Sequence, residues 1–129
     1  PDRGNGVINR NGDKFSGNVT TLVDILDGTS KTFAVGETVP EWCNHTSWFF
    51  FNHATATCGV PLNYSIEQGN AFLASAHGDR SRNYSFFSRH PCGGSFAFVD
   101  GSVAFIQDSI AIDVYRQLAT ISGGESVSP

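Results

Sequence analysis

The residues best suited to catalysis in this 129-residue sequence are His90 and Asp100. A histidine beside a carboxylate is a common general-base arrangement, and it requires the two side chains to lie within hydrogen-bonding distance. Residues 95–99 predict a strand that advances about 16 Å at ~3.3 Å per residue, which keeps the two groups near its opposite ends. We therefore predict that His90 has a structural role, that Asp100 is a turn residue, and that the chain is not an enzyme.

The other histidines and acidic residues do not predict a metal site. His45, His53 and His77 have none of the spacings typical of zinc ligands, and the aspartates before Gly28 lack the ladder of a calcium-binding loop. A weak calcium site built from aspartates and loop carbonyls stays open as an alternative. The sequence also lacks a G-x-S-x-G nucleophile elbow and a phosphate-binding loop between a strand and a helix. We expect neither a resident metal nor a cofactor.

The three cysteines, Cys43, Cys58 and Cys92, contain no C-x-x-C pair, so neither a zinc ribbon nor a thioredoxin-like site is predicted. Cys43 and Cys58 enclose 14 residues. A disulfide across a loop of this size stabilises a protein by about 3 kcal/mol. We predict a Cys43–Cys58 disulfide, with three buried free thiols as the alternative. Cys92 is then either free or bonded to another chain.

An aromatic cluster runs through residues 42–51 and includes Trp42, Trp48 and three consecutive phenylalanines. Aromatic rings stack on sugars, which makes Trp42 and Trp48 candidate contacts for a glycan or a peptide. In a strand, however, alternate side chains face inward, so the second interpretation places about half of the cluster in the core. An extracellular ligand-binding module is therefore the second hypothesis for function.

Charge and hydropathy exclude two classes of protein. Charged residues make up only 16% of the chain and the net charge is −4, without the cluster of Lys and Arg that nucleic-acid binding needs. No apolar run exceeds four residues, the length of the run at 48–51, whereas a membrane-spanning helix needs about 20. The chain has no Met and begins at Pro1, from which we expect it to be a piece of a longer one. We predict a single soluble domain over residues 1–129 with a weakly charged, exported surface.

The clearest local pattern is a hairpin over residues 95–106. Two alternating apolar segments flank Asp100-Gly101, a pair that favours a two-residue type I′ turn. That turn pairs Phe98 with Val103 and Phe96 with Phe105. We therefore predict that these four residues share the buried face of the hairpin.

Helical spacing predicts two short helical segments. One is the turn at 21–28, capped by Thr21 or Thr20, and the other is a helix over 113–120, capped by Asp113. The apolar residues in helical register are Leu22, Ile25, Leu26, Val114 and Leu118.

Further strands are predicted within the aromatic cluster and on either side of it. Lys31 to Val39 alternates with Phe33 and Val35 on one face, and residues 48–51 and 55–60 are also strand candidates. Short strands with few helices predict an α+β domain built on a small antiparallel sheet.

Two stretches resemble the signatures of one known family. His90, nine further residues and then Asp100-Gly101 match the pattern H-x9-D-G, and residues 24–37 resemble D-I-x-D-G-T-S-N-T-x-x-V-G-E. The ending from Val114 is similar to family endings as well. On these residues the chain is identified as a member of the planctomycetal-type, pilin-like family of the domain of unknown function 1559, also called solute-binding protein family 10. The signature residues, expected to be structural, are Asp27, Gly28, Gly36, Glu37, His90, Asp100 and Gly101.

The resemblance implies an exported protein of pilin-like fold with no established enzymatic activity. Family members begin with a prepilin-type leader and a hydrophobic helix, so this chain would be the C-terminal soluble head of a pseudopilin-like protein. It would assemble with itself or with other pilin-like subunits through the missing helix, and would touch a membrane only through that helix. The expected location is the cell surface, a periplasm-like compartment or the extracellular space. Two departures from the family are Lys31, where Asn is usual, and Cys92, where Gly is usual.

Overall fold

A small antiparallel sheet organises the part of the chain that the computed structural model describes, namely residues 5–8, 20–39, 56–64 and 85–124. The three strands lie in the order β1-β2-β3, which confirms the predicted α+β class. None of the helices in these ranges is long and apolar enough to cross a membrane. The elements are a 3₁₀ turn at Leu22–Asp24, strands β1 Phe33–Gly36, β2 Gly93–Phe98 and β3 Val103–Gln107, and helix α1 Ile112–Gln117.

The β2–β3 hairpin forms as predicted, but its loop is one residue longer. Phe98 N–H donates to the Ser102 carbonyl at 2.8 Å, and Gly101 N–H donates back to the Phe98 carbonyl at 3.0 Å. Gly101 has a φ of +86°, whereas Asp100 is not among the residues with positive φ. A type I′ turn needs positive φ at both central residues, so the loop is instead a three-residue turn that ends in a left-handed glycine.

The longer loop changes which side chains of β3 are buried. Phe96 now pairs with Ala104, and Ser95 pairs with Phe105. Phe96 is 1% exposed, while Val103 is 70% and Phe105 50% exposed. The predicted buried face is therefore right for β2 and wrong for Val103 and Phe105, because a shift of one residue moves every side chain of a strand to the opposite face.

Phe96 is at the centre of the core. Its ring lies 4.4 Å from the ring of Phe33 and 5.9 Å from that of Tyr115, centroid to centroid. Tyr115 and Leu118 are completely buried and join the same cluster. Burial of these large apolar groups is the main stabilising contribution to a domain of this size.

Helix α1 begins earlier than predicted. Its N-cap is Ala111, which makes no side-chain capping bond, and the predicted cap Asp113 instead lies in the first turn, 3.9 Å from Arg116. Leu118 faces the core as expected, but Val114 is only half-buried. Tyr115 is the helical residue that fills the core.

Strand β1 is shorter than the predicted segment 31–39 and is irregular. Its pairing with β2 shifts between Phe33 and Val35, and this bulge turns Val35 out to solvent while Phe33 stays buried. The two residues therefore do not share a face as predicted. A bulge adds one residue on one strand and reverses the alternation beyond it.

The remaining predicted elements have mixed outcomes. Thr21 precedes the 3₁₀ turn as predicted, and both its N–H and its hydroxyl donate to the Asp24 carboxylate, at 2.7 and 2.6 Å. Ile25 is buried, but Leu22 and Leu26 are exposed. Residues 56–60 form a turn and not a strand, and the candidate strand 48–51 lies outside the described residues.

Candidate functional site

His90 and Asp100 lie beyond opposite ends of β2, as the length of the strand predicts. The Asp100 carboxylate accepts hydrogen bonds from the Ser102 hydroxyl at 2.6 Å and from the Ser102 N–H at 2.9 Å. These bonds hold the pKa of Asp100 below its ordinary value, with the Ser102 hydroxyl as the largest cause. Asp100 is thus a turn-stabilising residue, and its carboxylate is engaged within the hairpin loop.

His90 has a different acidic neighbour, Glu37. Its Nε2 atom lies 3.9 Å from Glu37 Oε1, and its ring stands edge-on to Phe105 with the centroids 6.2 Å apart. The other carboxylate oxygen of Glu37 accepts the Ser95 N–H at 3.1 Å. The His90–Glu37 pair was not expected from the sequence, although each residue belongs to one of the two signature stretches. Only the pairing of β1 with β2 brings them together.

A partly buried polar network holds the backbone before His90 in place. Asn63, at a positive φ of 56°, accepts the Ser88 N–H at 2.8 Å and donates to the Gly93 carbonyl at 3.2 Å. The Ser88 hydroxyl is buried and accepts the His90 N–H at 2.9 Å. Sequence reasoning missed Asn63 and Ser88 as positioning residues, because their partners lie far from them in the chain.

Asp27 holds the C-terminal segment. Its carboxylate accepts the N–H groups of Gly123 at 2.7 Å and Gly124 at 2.9 Å, and the hydroxyl of Thr120 at 3.1 Å. We call Asp27 with these three partners the C-terminal clamp. Partial burial raises the pKa of Asp27, but the three hydrogen bonds outweigh it and keep that pKa below its ordinary value. The clamp is therefore strongest when Asp27 is ionised.

Replacing Asp27 with asparagine should lower the free energy of unfolding by about 0.5–1 kcal/mol, because the charge that strengthens these largely solvent-exposed hydrogen bonds is lost. Because the folded pKa lies below the unfolded one of about 4, the stabilisation is complete above pH ~4 and is lost as the pH falls through the folded value. Urea unfolding of the parent protein and of Asp27→Asn between pH 7 and pH 3 measures the difference in their free energies of unfolding. The exposed Asp108→Asn is the control, and equal losses in the two variants would contradict the prediction.

The sequence profile of a family described as "Protein of unknown function (DUF1559)" matches residues 1–113. This chain belongs to the DUF1559 family. The family predicted from the two signature stretches is thereby confirmed, and both stretches lie inside the matched region. No curated protein and no solved structure matches the chain.

Glycine is favoured at two signature positions of this DUF1559 chain for two different physical reasons. A Cβ atom at Gly36 would lie 2.5 Å from ring atoms of both Phe86 and Phe96. Gly28 has open space around it but a φ of +97°, a conformation that favours glycine. Its carbonyl accepts the Lys31 N–H at 3.0 Å and closes the turn before β1.

Cys58 is a buried free thiol in the DUF1559 domain, so the structure does not support the predicted Cys43–Cys58 disulfide. Burial raises the pKa of this thiol to about 12, and burial also raises the pKa of the neighbouring Tyr115. Cys58 is therefore protonated and unreactive at neutral pH, and serves as a small apolar residue of the core. Cys43 itself lies outside the described residues.

Cys92 occupies a left-handed position, with a φ of +63°. This geometry gives a physical reason for the glycine that the family resemblance leads one to expect there. The carbonyl of Cys92 accepts the Asp108 N–H at 3.0 Å, so the backbone at this position closes the far end of the hairpin. The thiol itself is free and exposed.

We expect Cys92→Gly to raise the free energy of unfolding by roughly 0.5–1 kcal/mol, because glycine adopts positive φ without the steric cost of a Cβ atom. Chemical denaturation under reducing conditions measures the change. Cys92→Ala is the matched control, since it removes the thiol and keeps the Cβ atom. A similar gain from alanine would show that the thiol, and not the backbone, causes the strain.

The described residues include neither of the predicted ligand contacts and no cluster of side chains that could bind a metal. The candidate ligand contacts Trp42 and Trp48 lie outside the described residues. Within those residues, no group of three or more His, Cys, Asp or Glu side chains lies close enough together to hold a metal ion. The described geometry therefore centres on the signature residues and their hydrogen bonds.

Proposed function

We propose that this DUF1559 chain is a non-enzymatic structural module, the exported globular head of a pilin-like protein. The proposal rests on the hydrogen bonds that the signature carboxylates accept. Asp27 and Glu37 accept hydrogen bonds from backbone N–H groups of distant segments and hold those segments together, and Asp100 accepts the Ser102 N–H and fixes the hairpin loop. Residues of this kind maintain the shape of the domain, and the subunits of an assembly bind one another through surfaces of defined shape.

The surroundings of His90 support a non-catalytic role. Its Nε2 atom is 3.9 Å from Glu37, which is longer than the ~2.6–3.2 Å over which a general base and its partner exchange a proton. The Glu37 carboxylate also accepts the Ser95 N–H, which ties it to the backbone of β2. We infer that His90 and Glu37 connect the start of β2 to the end of β1.

The path of the N-terminal segment is compatible with a helix-anchored head. The Asn5 carbonyl accepts the Ile121 N–H at 2.9 Å, and the Ile121 carbonyl accepts the Leu26 N–H at 2.7 Å. Residues 5–8 therefore run beside the C-terminal clamp. In the proposed protein, an upstream hydrophobic helix would join the head at this side and would link it to other pilin-like subunits at the cell surface.

Assembly is tested with the full-length protein in its native source. Cells are sheared, and the released fraction is centrifuged at high speed and labelled with antibodies raised against residues 1–129. We expect the full-length protein in filaments or in pelleted membrane complexes, while residues 1–129 expressed alone with an export signal stay in the supernatant. A full-length product that is entirely monomeric and unsedimented would overturn the proposal.

The absence of catalysis needs its own measurement. Purified protein is assayed against panels of ester, peptide and glycoside substrates, together with the His90→Ala variant. We expect no turnover that depends on His90. A reproducible activity that falls more than about tenfold in His90→Ala, with folding intact, would assign a catalytic role to this residue.

A further inference from the structure

Within the part of the chain that the structure describes, strand β3 forms an unpaired outer edge of the sheet, and it lacks the charges and the proline that commonly prevent strands from pairing between molecules. Its sequence, Val103–Gln107, contains no charged residue and no proline. Val103 is 70% and Phe105 50% exposed. Proteins usually protect such an edge with lysine, proline or a bulge, because an unprotected edge is a template for another strand.

The backbone of β3 presents hydrogen-bonding groups on this edge. Phe98 N–H donates to Ser102, and Asp108 N–H donates to Cys92, so the even-numbered residues of β3 face β2. In an antiparallel pair the bonding groups alternate, and the N–H groups of the odd-numbered residues therefore point away from the sheet. Within the described ranges, no backbone acceptor is bonded to the N–H of Val103, Phe105 or Gln107.

The opposite edge of the sheet, β1, is protected. A bulge interrupts it between Phe33 and Val35, and the Phe33 N–H already donates to the Leu118 carbonyl at 2.7 Å. The two edges of one sheet therefore differ, and only β3 is left suited to pairing.

We propose that β3 binds β3 of a second copy of this chain, antiparallel and across a two-fold axis at Phe105. In this register Phe105 opposes Phe105 of the partner subunit and Val103 opposes Gln107 of the partner subunit. A two-fold contact brings each residue against the same surface of its copy, so a charged edge would repel itself. The neutral sequence of β3 avoids that repulsion, and the aromatic pair at the axis adds cross-strand packing.

The dimer goes beyond the proposed function, because it needs neither an upstream helix nor a filament. It joins two heads through one continuous six-stranded sheet, made of the three strands of each copy. Its presence or absence is measured on residues 1–129 alone, so a failure of this inference leaves the assembly of the full-length protein untouched.

Sedimentation velocity over a concentration series, from micromolar to near-millimolar, tests the dimer. Val103→Pro removes an outward N–H at the first residue of the strand, where proline is tolerated and the β2–β3 bonds are kept. We expect it to raise the dimer dissociation constant at least about tenfold, because each lost bond counts twice across the axis. Val103→Ala keeps the N–H and is the matched control, with dimerisation close to that of the parent protein.

Phe105→Lys is the second variant and covers the case in which the proline variant fails to fold. It places two like charges at the axis and should abolish the dimer. Val35→Lys adds the same charge on the exposed face of β1 and should leave the dimer intact. A parent protein that stays monomeric throughout, or a dimer that persists in both Val103→Pro and Phe105→Lys, overturns the proposal. Slower hydrogen exchange at Val103, Phe105 and Gln107 with rising concentration supports it.

Discussion

Phe96→Ala should lower the free energy of unfolding by about 3–5 kcal/mol, which is the usual loss for a fully buried phenylalanine. Phe96 is 1% exposed, and its ring contacts those of Phe33, Phe86 and Tyr115. Removing it leaves a cavity bounded by rings that lie on β1, on α1 and next to β2, so the surroundings have little freedom to collapse. Urea unfolding monitored by fluorescence or circular dichroism measures the loss.

Val103→Ala is the control for Phe96→Ala, because it also tests the register of the hairpin. Val103 is 70% exposed, so we expect its truncation to change stability by less than about 0.5 kcal/mol. If the hairpin had the two-residue turn predicted from the sequence, Val103 would be buried on the same face as Phe96. A loss above about 1 kcal/mol in Val103→Ala would therefore favour that turn and contradict the observed loop.

Gly93→Ala should be the most damaging single-methyl change in the described part of the sheet. A Cβ atom at Gly93 would overlap the Ile106 carbonyl oxygen and would lie 2.7 Å from the ring of Phe105. The carbonyl is backbone and cannot turn aside, so the β2–β3 ladder has to separate locally. We expect a loss of about 3 kcal/mol or more, at the upper end of what overpacking costs.

Gly94→Ala is the matched control, one residue further along the same strand. There a Cβ atom would lie 3.2 Å from the Ser88 side chain, and a shift of a few tenths of an ångström accommodates it. Thermal and urea unfolding of both variants should rank Gly93→Ala well below Gly94→Ala. Equal stabilities would mean that the strands move apart at Gly93 with little cost.

The hairpin shows how far local sequence determines this fold. The alternation of Phe96 and Phe98 predicts the buried face of β2 correctly, because both residues lie on the same side of any straight strand. Asp100-Gly101 fits two loops equally well, since both place Gly101 at positive φ. The choice depends on Asp100, which binds Ser102 and is not among the residues with positive φ. That single difference decides whether Phe105 is buried or exposed.

Long-range contacts account for most of what local sequence reasoning did not predict. The spacing of Val114 and Leu118 predicts a helix, but it does not reveal that Tyr115 between them fills the space beside Phe33 and Phe96. His90 pairs with Glu37 only through the register of β1 on β2. Each of these contacts depends on segments that meet only in the folded chain, and no local pattern encodes their meeting.

The clamp at Asp27 has a consequence for the order in which the chain folds. Asp27 and Gly123 are 96 residues apart, so their contact closes a loop that contains most of the polypeptide. Closing so large a loop is entropically costly until other contacts have shortened it. The β2–β3 hairpin, by contrast, closes over a few residues and can form early. Among the described elements, the C-terminal segment should therefore fold late and detach early, so we expect proteolysis at residues 120–124 before cleavage within the sheet.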